Sequence, residues 1–246
     1  MTDITLTLRD ATLRATVTGT GPTVLLLHAG GERRGVWAPV AARMIKCGLR
    51  TVAYDLRGHG DSSGRATTLR AVAYDVLEMM RREPAPMVVV GASLGGLAAI
   101  TALAEPFAAH RAAGLVLVDV VPDVDSHRVH SWLDDWGMRD RHENLVDDIL
   151  ASSHQLVAAA AGLELPILHV RGGRSPLDDA DVNRLRKTNH RVTIASVPSA
   201  GHLVARDAPV ELARIVSAHA IKWLGIDDIS RATAPERGAN PGAAAP

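Results

Sequence analysis

Ser93 stands in the middle of the segment Gly91-Ala92-Ser93-Leu94-Gly95, between an apolar run and a helix-like stretch. The run before it, residues 87–90, lacks polar alternation, which is typical of a strand that is covered on both faces. Glycine two residues before and two residues after a serine leaves room for a sharp strand-to-helix turn that projects the hydroxyl. This spacing predicts that Ser93 is a nucleophile. The alternative is a tight glycine turn with a capping serine.

Two other segments could supply the groups that a serine nucleophile needs. His202 follows a predicted strand and precedes the last predicted helix, so it can serve as the general base. The apolar run 24–27 leads into the small residues of the loop 28–31, whose backbone N–H groups can face a developing oxyanion. We predict an oxyanion hole formed by the N–H groups of Gly30 and Leu94, with a plain Gly-Gly turn as the alternative for the loop.

The elements that must position these residues alternate between short apolar runs and helix-length amphipathic stretches. Residues 5–8 and 15–18 alternate with period two, which predicts an antiparallel hairpin at a sheet edge. Uniformly apolar runs then predict strands, most of them central and parallel, at 24–27, 51–53, 87–90, 115–118, 167–170 and 192–197. Helices are predicted at 37–46, 69–82, 97–104, 179–187 and 210–224. This order predicts an α/β fold with helices on both faces of an open sheet and a ligand site beyond the carboxyl ends of the strands.

One stretch, from about 122 to 162, has a helical pattern and no strand. We expect it to form a short helical cap over the strand ends, inserted into a single domain that spans residues 1–225. Residues 226–246 become rich in Ala, Pro and Gly, which predicts a disordered tail. Trp132 and Trp136 in the cap, and Trp37 near the oxyanion loop, indicate a mainly apolar pocket. Ordinary core packing is the alternative for each.

Composition and charge narrow the class of protein. The chain has 246 residues, 47% of them hydrophobic, with 27 basic and 27 acidic side chains and a formal net charge of zero. Dispersed, balanced charge offers no basic patch for nucleic acid, and no apolar run reaches membrane-spanning length. The start lacks a secretory pattern, and the single cysteine, Cys47, cannot form an internal disulfide, so we expect it to serve the core. We therefore expect a cytoplasmic protein with a small-molecule substrate and neither nucleic-acid nor membrane partners. The oligomeric state stays open.

The chain resembles the α/β-hydrolase family over residues 6–224. The resemblance rests on four motifs in the family's order: the loop 28–31, the turn 55–62, the elbow 91–95 and the closing segment 200–202. It implies an eight-stranded, mostly parallel sheet, a cap over the pocket and a triad in the chain order serine, acid, histidine. It also makes His28 a structural hydrogen-bonding residue near the pocket floor. Ala29 replaces the usual glycine, which is tolerable if this residue is not at positive φ.

The acid of the triad is less clear than the serine and the histidine. In much of the family it follows the strand before the last, where this chain has Ser175, and a serine cannot carry the charge that stabilises an imidazolium. Asp178 could reach in from three residues later. Asp119 ends the apolar run 115–118, where relatives similar to haloalkane dehalogenases and to certain cofactor-free dioxygenases carry their acid. An aspartate there needs a charged or hydrogen-bonded partner. We favour Asp119 and keep Asp178 as the alternative.

These residues predict a serine hydrolase of carboxylic esters, lactones or thioesters. Ser93 would attack the carbonyl, His202 would transfer its proton, and Asp119 would hold the imidazole. Relatives similar to dehalogenases and epoxide hydrolases attack with an aspartate at the elbow, so Ser93 argues against those activities. Zinc-ligand spacing and a dinucleotide fingerprint are lacking, so we expect no metal or organic cofactor. A cofactor-free oxygenase or perhydrolase, and a ligand-sensing protein with slow turnover, are the alternatives.

Overall fold

A single eight-stranded sheet forms the centre of the computed structural model, which describes residues 1–123, 125–135 and 139–226. Its strands are β1 (Thr2–Thr7), β2 (Thr12–Thr18), β3 (Thr23–Leu27), β4 (Arg50–Tyr54), β5 (Met87–Ala92), β6 (Ala112–Val118), β7 (Ile167–Gly172) and β8 (Val192–Val197). The spatial order is β1-β2-β4-β3-β5-β6-β7-β8. The β1–β2 and β2–β4 pairs are antiparallel, and all other neighbours are parallel. The sheet confirms the predicted fold class.

Helices cover both faces of this sheet. They are α1 (Ala38–Met44), α2 (Leu69–Arg82), α3 (Leu94–Leu103), α4 (Pro106–Ala109), α5 (Ser126–Asp135), α6 (Arg139–Ala151), α7 (Ser153–Gly162), α8 (Asp179–Thr188), α9 (Val204–Asp207) and α10 (Pro209–Trp223). Val89 packs into one core with α2 and α3, whereas Val88 and Val90 pack into a second core with α1 and α10. Burial on both faces is the reason why β5 reads as an uninterrupted apolar run.

Three helices, α5 to α7, occupy the chain between β6 and β7, where the sequence predicts a cap. They are joined to the rest of the fold by side chains at helix ends. Arg128 of α5 donates two hydrogen bonds, of 2.5 and 2.8 Å, to the buried carboxylate of Asp181 in α8. Asp148 of α6 accepts the N–H of Leu69 at 2.7 Å, at the first turn of α2. The second bond satisfies a helix-terminal N–H, and both bonds connect α5 and α6 to helices of the main fold.

Several expectations from the sequence fall outside this picture or differ from it. Trp136 and the predicted tail from residue 227 onward lie outside the described residues, and for Trp132 only the backbone, within α5, is described. Cys47 is exposed, so the expectation that it serves the core was wrong. It ends a 3-10 turn at Ile45–Cys47 that leads to the surface glycine Gly48. No helix in the described ranges is long and apolar enough to cross a bilayer.

Candidate active site

Ser93 lies in a strained turn between β5 and α3. Its φ of 46° and ψ of −115° place it in a region that L-residues rarely adopt. Its N–H donates to the carbonyl of Val118 at 3.2 Å, and its carbonyl accepts the N–H groups of Gly96 and Leu97 at 2.9 and 3.1 Å. The hydroxyl does not cap α3, whose first turn lies wholly within the described residues. The backbone therefore holds the turn, and the alternative of a capping serine does not fit.

Close packing explains the glycines on either side of Ser93. A Cβ on Gly91 would lie 2.5 Å from the backbone of Gly95, on the opposite side of the turn. A Cβ on Gly95 would lie 2.6 Å from the carbonyl oxygen of Leu27 in β3. Real Cβ atoms do not approach backbone this closely, so a side chain at either position would force the turn apart. The strain is at Ser93 itself, since neither Gly91 nor Gly95 is at positive φ.

The loop after β3 faces the first residue of α3. The N–H of Glu32 donates to the carbonyl of Ala29 at 3.1 Å, closing a turn in which Gly31 has a φ of 78°. Ala29 is not among the positive-φ residues, so its replacement of glycine is tolerated. A Cβ on Gly30 would lie 3.8 Å from that of Leu94, so the structure brings the two predicted oxyanion residues together. As the first residue of α3, Leu94 has an N–H without an acceptor inside the helix.

Asp119 is buried at the end of β6 with its carboxylate surrounded by donors. Its φ of 53° turns the chain out of the strand, and its N–H donates to Val170 of β7 at 2.8 Å. Oδ1 accepts the N–H of Gly172 at 2.8 Å. Oδ2 accepts a hydrogen bond from Nδ1 of His202 at 2.8 Å and another from the hydroxyl of Ser175 at 2.5 Å. The structure thus joins Asp119 to His202, in agreement with the preference for Asp119 over Asp178.

Asp178, the alternative acid, is engaged elsewhere. It is the N-cap residue of α8, where its Oδ1 accepts the N–H of Asp181 at 2.9 Å. In return, a carboxylate oxygen of Asp181 accepts the N–H of Asp178 at 2.8 Å, which completes a capping box. Its side chain is 62% exposed. The structure therefore uses this carboxylate at a helix start and does not bring it to His202.

One cavity of about 160 Å³ brings the candidate residues to a common space. Ser93, Asp119, His202, Gly30 and Leu94 all line it. Most of the remaining lining is apolar and comes from α3, the chain after β6, α5, α6 and the loop before α8, as Leu97, Val120, Val121, Val129, Leu145, Val146, Ile149, Leu150, Pro176 and Leu177. Four charged residues complete it: Asp123, Asp125, Arg128 and Asp181. A space with apolar walls and a few convergent polar groups is typical of a small-molecule site.

His28 and Trp37, which the sequence proposed as pocket residues, lie outside the lining of this cavity. Nε2 of His28 accepts the N–H of Leu56 at 3.0 Å, so its Nδ1 donates to the carbonyl of Ala29 at 2.8 Å. Burial lowers the pKa of His28 to about 4, which keeps the ring neutral at pH 7 and suits its expected structural role. Trp37 is fully buried in the core beside α1 and α10, on the other face of the sheet from the cavity walls. The expectation that these two residues line the pocket was wrong.

Ser175 is a member of the site that sequence reasoning missed. In the sequence it marks only a gap in the family pattern, because a serine cannot replace an aspartate as the acid. The structure places its hydroxyl on the carboxylate that does contact His202. The available signal was its position: β7 runs parallel to β6, so residues after the two strands meet at the same edge of the sheet.

Comparison with known proteins identifies the class of protein that this fold and site define. Residues 22–204 match the family described as alpha/beta hydrolase fold, and the chain belongs to this family. It is 36% identical over 109 residues to protein phosphatase methylesterase 1 of Bos taurus, covering 41% of this chain and 28% of that protein. It is 39% identical over 108 residues to esterase Rv0045c of Mycobacterium tuberculosis, covering 42% and 35%. The matched segments thus span about a third of these relatives.

A solved structure supports the fold over most of the chain. The thioesterase domain from the curacin biosynthetic pathway superposes with a TM-score of 0.71 at 18% sequence identity. The match covers 88% of this chain and 99% of that domain. At this identity the likeness establishes the shared fold alone.

Proposed function

We propose that the protein is a serine hydrolase that cleaves a carboxylic ester, lactone or thioester through a Ser93-His202-Asp119 triad and an acyl-enzyme. One observation carries the proposal: the buried carboxylate of Asp119 lies 2.8 Å from Nδ1 of His202, in the same cavity as the strained Ser93. A buried carboxylate that is hydrogen-bonded to a histidine beside a serine is the arrangement that activates a hydroxyl nucleophile. The names of the relatives, a methylesterase and an esterase, agree with this class.

The proposed mechanism follows from the hydrogen bonds of His202. A carboxylate oxygen accepts, so Nδ1 carries the proton and Nε2 has the lone pair that takes the proton of the Ser93 hydroxyl. The serine oxygen then attacks the carbonyl carbon, and the N–H groups of Gly30 and Leu94 stabilise the oxyanion. His202 returns the proton to the leaving alkoxide or thiolate. A water molecule releases the acyl group by the same steps, so the cycle needs no cofactor.

The walls of the cavity indicate the substrate class. Their aliphatic side chains favour an apolar acyl or alcohol group next to the reacting carbonyl. Burial of each methylene is worth about 0.8 kcal/mol, so kcat/KM should rise about threefold to fourfold per added methylene until the cavity is full. We infer a small-molecule substrate of this kind. The cytoplasmic location remains a prediction from the sequence.

A substrate panel and a serine probe test the proposal together. p-Nitrophenyl esters of increasing acyl length should be hydrolysed by the wild type, and a fluorophosphonate probe should label Ser93. Ser93→Ala should fold normally by circular dichroism and lose hydrolysis by several orders of magnitude, roughly 10⁴-fold or more. A folded alanine variant that keeps more than about a tenth of the activity would rule out the covalent mechanism.

Other outcomes would favour the alternatives. Labelling of Ser93 without turnover of any ester, lactone or thioester would favour a ligand-sensing protein. Oxygen consumption with heteroaromatic substrates, or peracid formation from a carboxylic acid and peroxide, would favour the oxygenase or perhydrolase reading. In all cases the same cavity would hold the ligand.

A further inference from the structure

The hydroxyl of Ser175 bridges two parts of the site. It donates to Oδ2 of Asp119 at 2.5 Å and accepts the N–H of Leu177 at 3.0 Å. Because the N–H of Leu177 points at the serine oxygen, the hydroxyl proton is directed toward the carboxylate. Ser175 therefore presents a donor whose direction is fixed by the backbone that follows it.

This donor acts on the oxygen that contacts the histidine. Oδ2 receives both the Ser175 hydroxyl and Nδ1 of His202, whereas Oδ1 receives the N–H of Gly172. A carboxylate held at both oxygens cannot rotate about its Cβ–Cγ bond without breaking two or more hydrogen bonds. Hydrogen bonds to a charged group are about twice as strong as those between neutral groups, so this restraint is substantial.

Ser175 also lies on the solvent side of the Asp119–His202 pair. Asp119 lines the apolar cavity, Ser175 lines a neighbouring open groove of about 370 Å³, and His202 lines both. The side chain of Asp119 is fully buried, while Ser175 is only half-buried. The hydroxyl thus occupies the place from which water in the groove would otherwise reach Oδ2.

We propose that Ser175 is a positioning residue that fixes the Asp119 carboxylate against His202 and shields it from water. The inference rests on the proposed function, in which this pair orients the general base. It adds a second role for the position after β7: where much of the family has its acid, this chain has Ser175, which donates a hydrogen bond to Asp119 at the end of the neighbouring strand β6.

The kinetic test compares Ser175→Ala and Ser175→Thr with wild type on a p-nitrophenyl ester. Loss of a hydrogen bond to a charged group should lower kcat of the alanine variant by about tenfold or more, with KM changed by less than about twofold, since Ser175 lies outside the apolar cavity. Threonine keeps the hydroxyl and should restore most of kcat. Ser199→Ala, an exposed serine on the histidine loop, is the matched control and should match wild type.

A second measurement does not depend on turnover. The proton shared by Nδ1 of His202 and Oδ2 of Asp119 should give a low-field proton NMR resonance, observable in the Ser93→Ala background. Removal of the Ser175 hydroxyl admits water to Oδ2, so the shared proton should exchange faster and its resonance should broaden or disappear in Ser93→Ala/Ser175→Ala. Threonine at position 175 should restore the resonance.

The outcomes separate the two proposals. If Ser93→Ala retains hydrolysis, the proposed function fails, and the resonance still decides the role of Ser175. The positioning role is wrong if Ser175→Ala leaves the resonance unchanged in the Ser93→Ala background and also keeps kcat within about twofold of wild type. It is also wrong if kcat of Ser175→Thr is no higher than kcat of Ser175→Ala.

Discussion

Replacement of Asp119 by asparagine tests the centre of the site because the structure dictates how the amide must sit. The buried N–H of Gly172 needs an acceptor, and Oδ1 of Asp119 supplies it at 2.8 Å. The amide oxygen of asparagine should take this place. Its NH₂ group then faces His202 and Ser175 where Oδ2 accepts hydrogen bonds in the wild type. The opposite orientation would set the NH₂ group against a buried N–H donor.

The consequence for His202 is a change of tautomer. An NH₂ group cannot accept, so Nδ1 must lose its proton and accept instead, which moves the proton to Nε2. A protonated Nε2 in a neutral ring cannot take the proton of Ser93. The same change in a serine protease triad lowers kcat by about 10⁴-fold, and we expect a loss of about 10³-fold to 10⁴-fold here.

The assay is kcat for a p-nitrophenyl ester, with Asp178→Asn as the matched control. Asn is as good an N-cap residue as Asp, so the control should retain the capping bond to the N–H of Asp181 and change kcat by less than about twofold. Circular dichroism and a urea titration would verify that both variants fold. The reverse ranking would move the acid to Asp178, and small, equal effects from both variants would mean that another group orients His202.

Two further predictions concern stability. Burial lowers the pKa values of His28 and His169 from 6.5 to about 4, so between these pH values the unfolded chain binds more protons than the folded one. The free energy of unfolding should therefore keep the full contribution of these neutral rings above pH 6.5 and fall by about 3 kcal/mol per histidine as the pH drops to 4. A series of urea titrations that shows no change over this range would refute the prediction. Gly95→Ala should lower the free energy of unfolding by about 1–3 kcal/mol or more, because the new Cβ would lie 2.6 Å from the carbonyl oxygen of Leu27. Gly162→Ala, whose Cβ would have no atom within 4 Å, should raise it by up to about 1 kcal/mol. Similar melting temperatures for the two variants would contradict the packing argument.

The type and chain order of the strands, and most of the candidate site, could be predicted from local sequence. The run 87–90 is apolar because β5 is covered on both faces, so its type and the turn that follows are visible without the structure. Asp119 could be selected because it ends a buried run, where an isolated carboxylate would be costly. In both cases the pattern that allows the prediction lies within a few consecutive residues.

What could not be predicted depends on contacts between distant segments. Trp37 precedes α1, and nothing in its neighbourhood tells which face of the sheet the indole covers. The packing of α1 against α10 decides it. The contact of Ser175 with Asp119 spans 56 positions and depends on how far β6 and β7 each extend before they turn. Asp178 is similar: whether it caps a helix or reaches a histidine depends on where α8 begins.

Two residues of the candidate site, Ser93 and Asp119, have strained backbones that lie at neighbouring strand ends, a relation that local sequence does not reveal. Ser93 and Asp119 are the non-glycine residues at positive φ within the described residues, and each such position costs about 1–3 kcal/mol. Aspartate enters the left-handed region more readily than most residues do, but serine has no such advantage. The N–H of Ser93 donates to Val118, and the next residue, Asp119, is held by Val170. Because one hydrogen bond joins the elbow to the end of β6, the strained turns at Ser93 and Asp119 are linked at neighbouring strand ends.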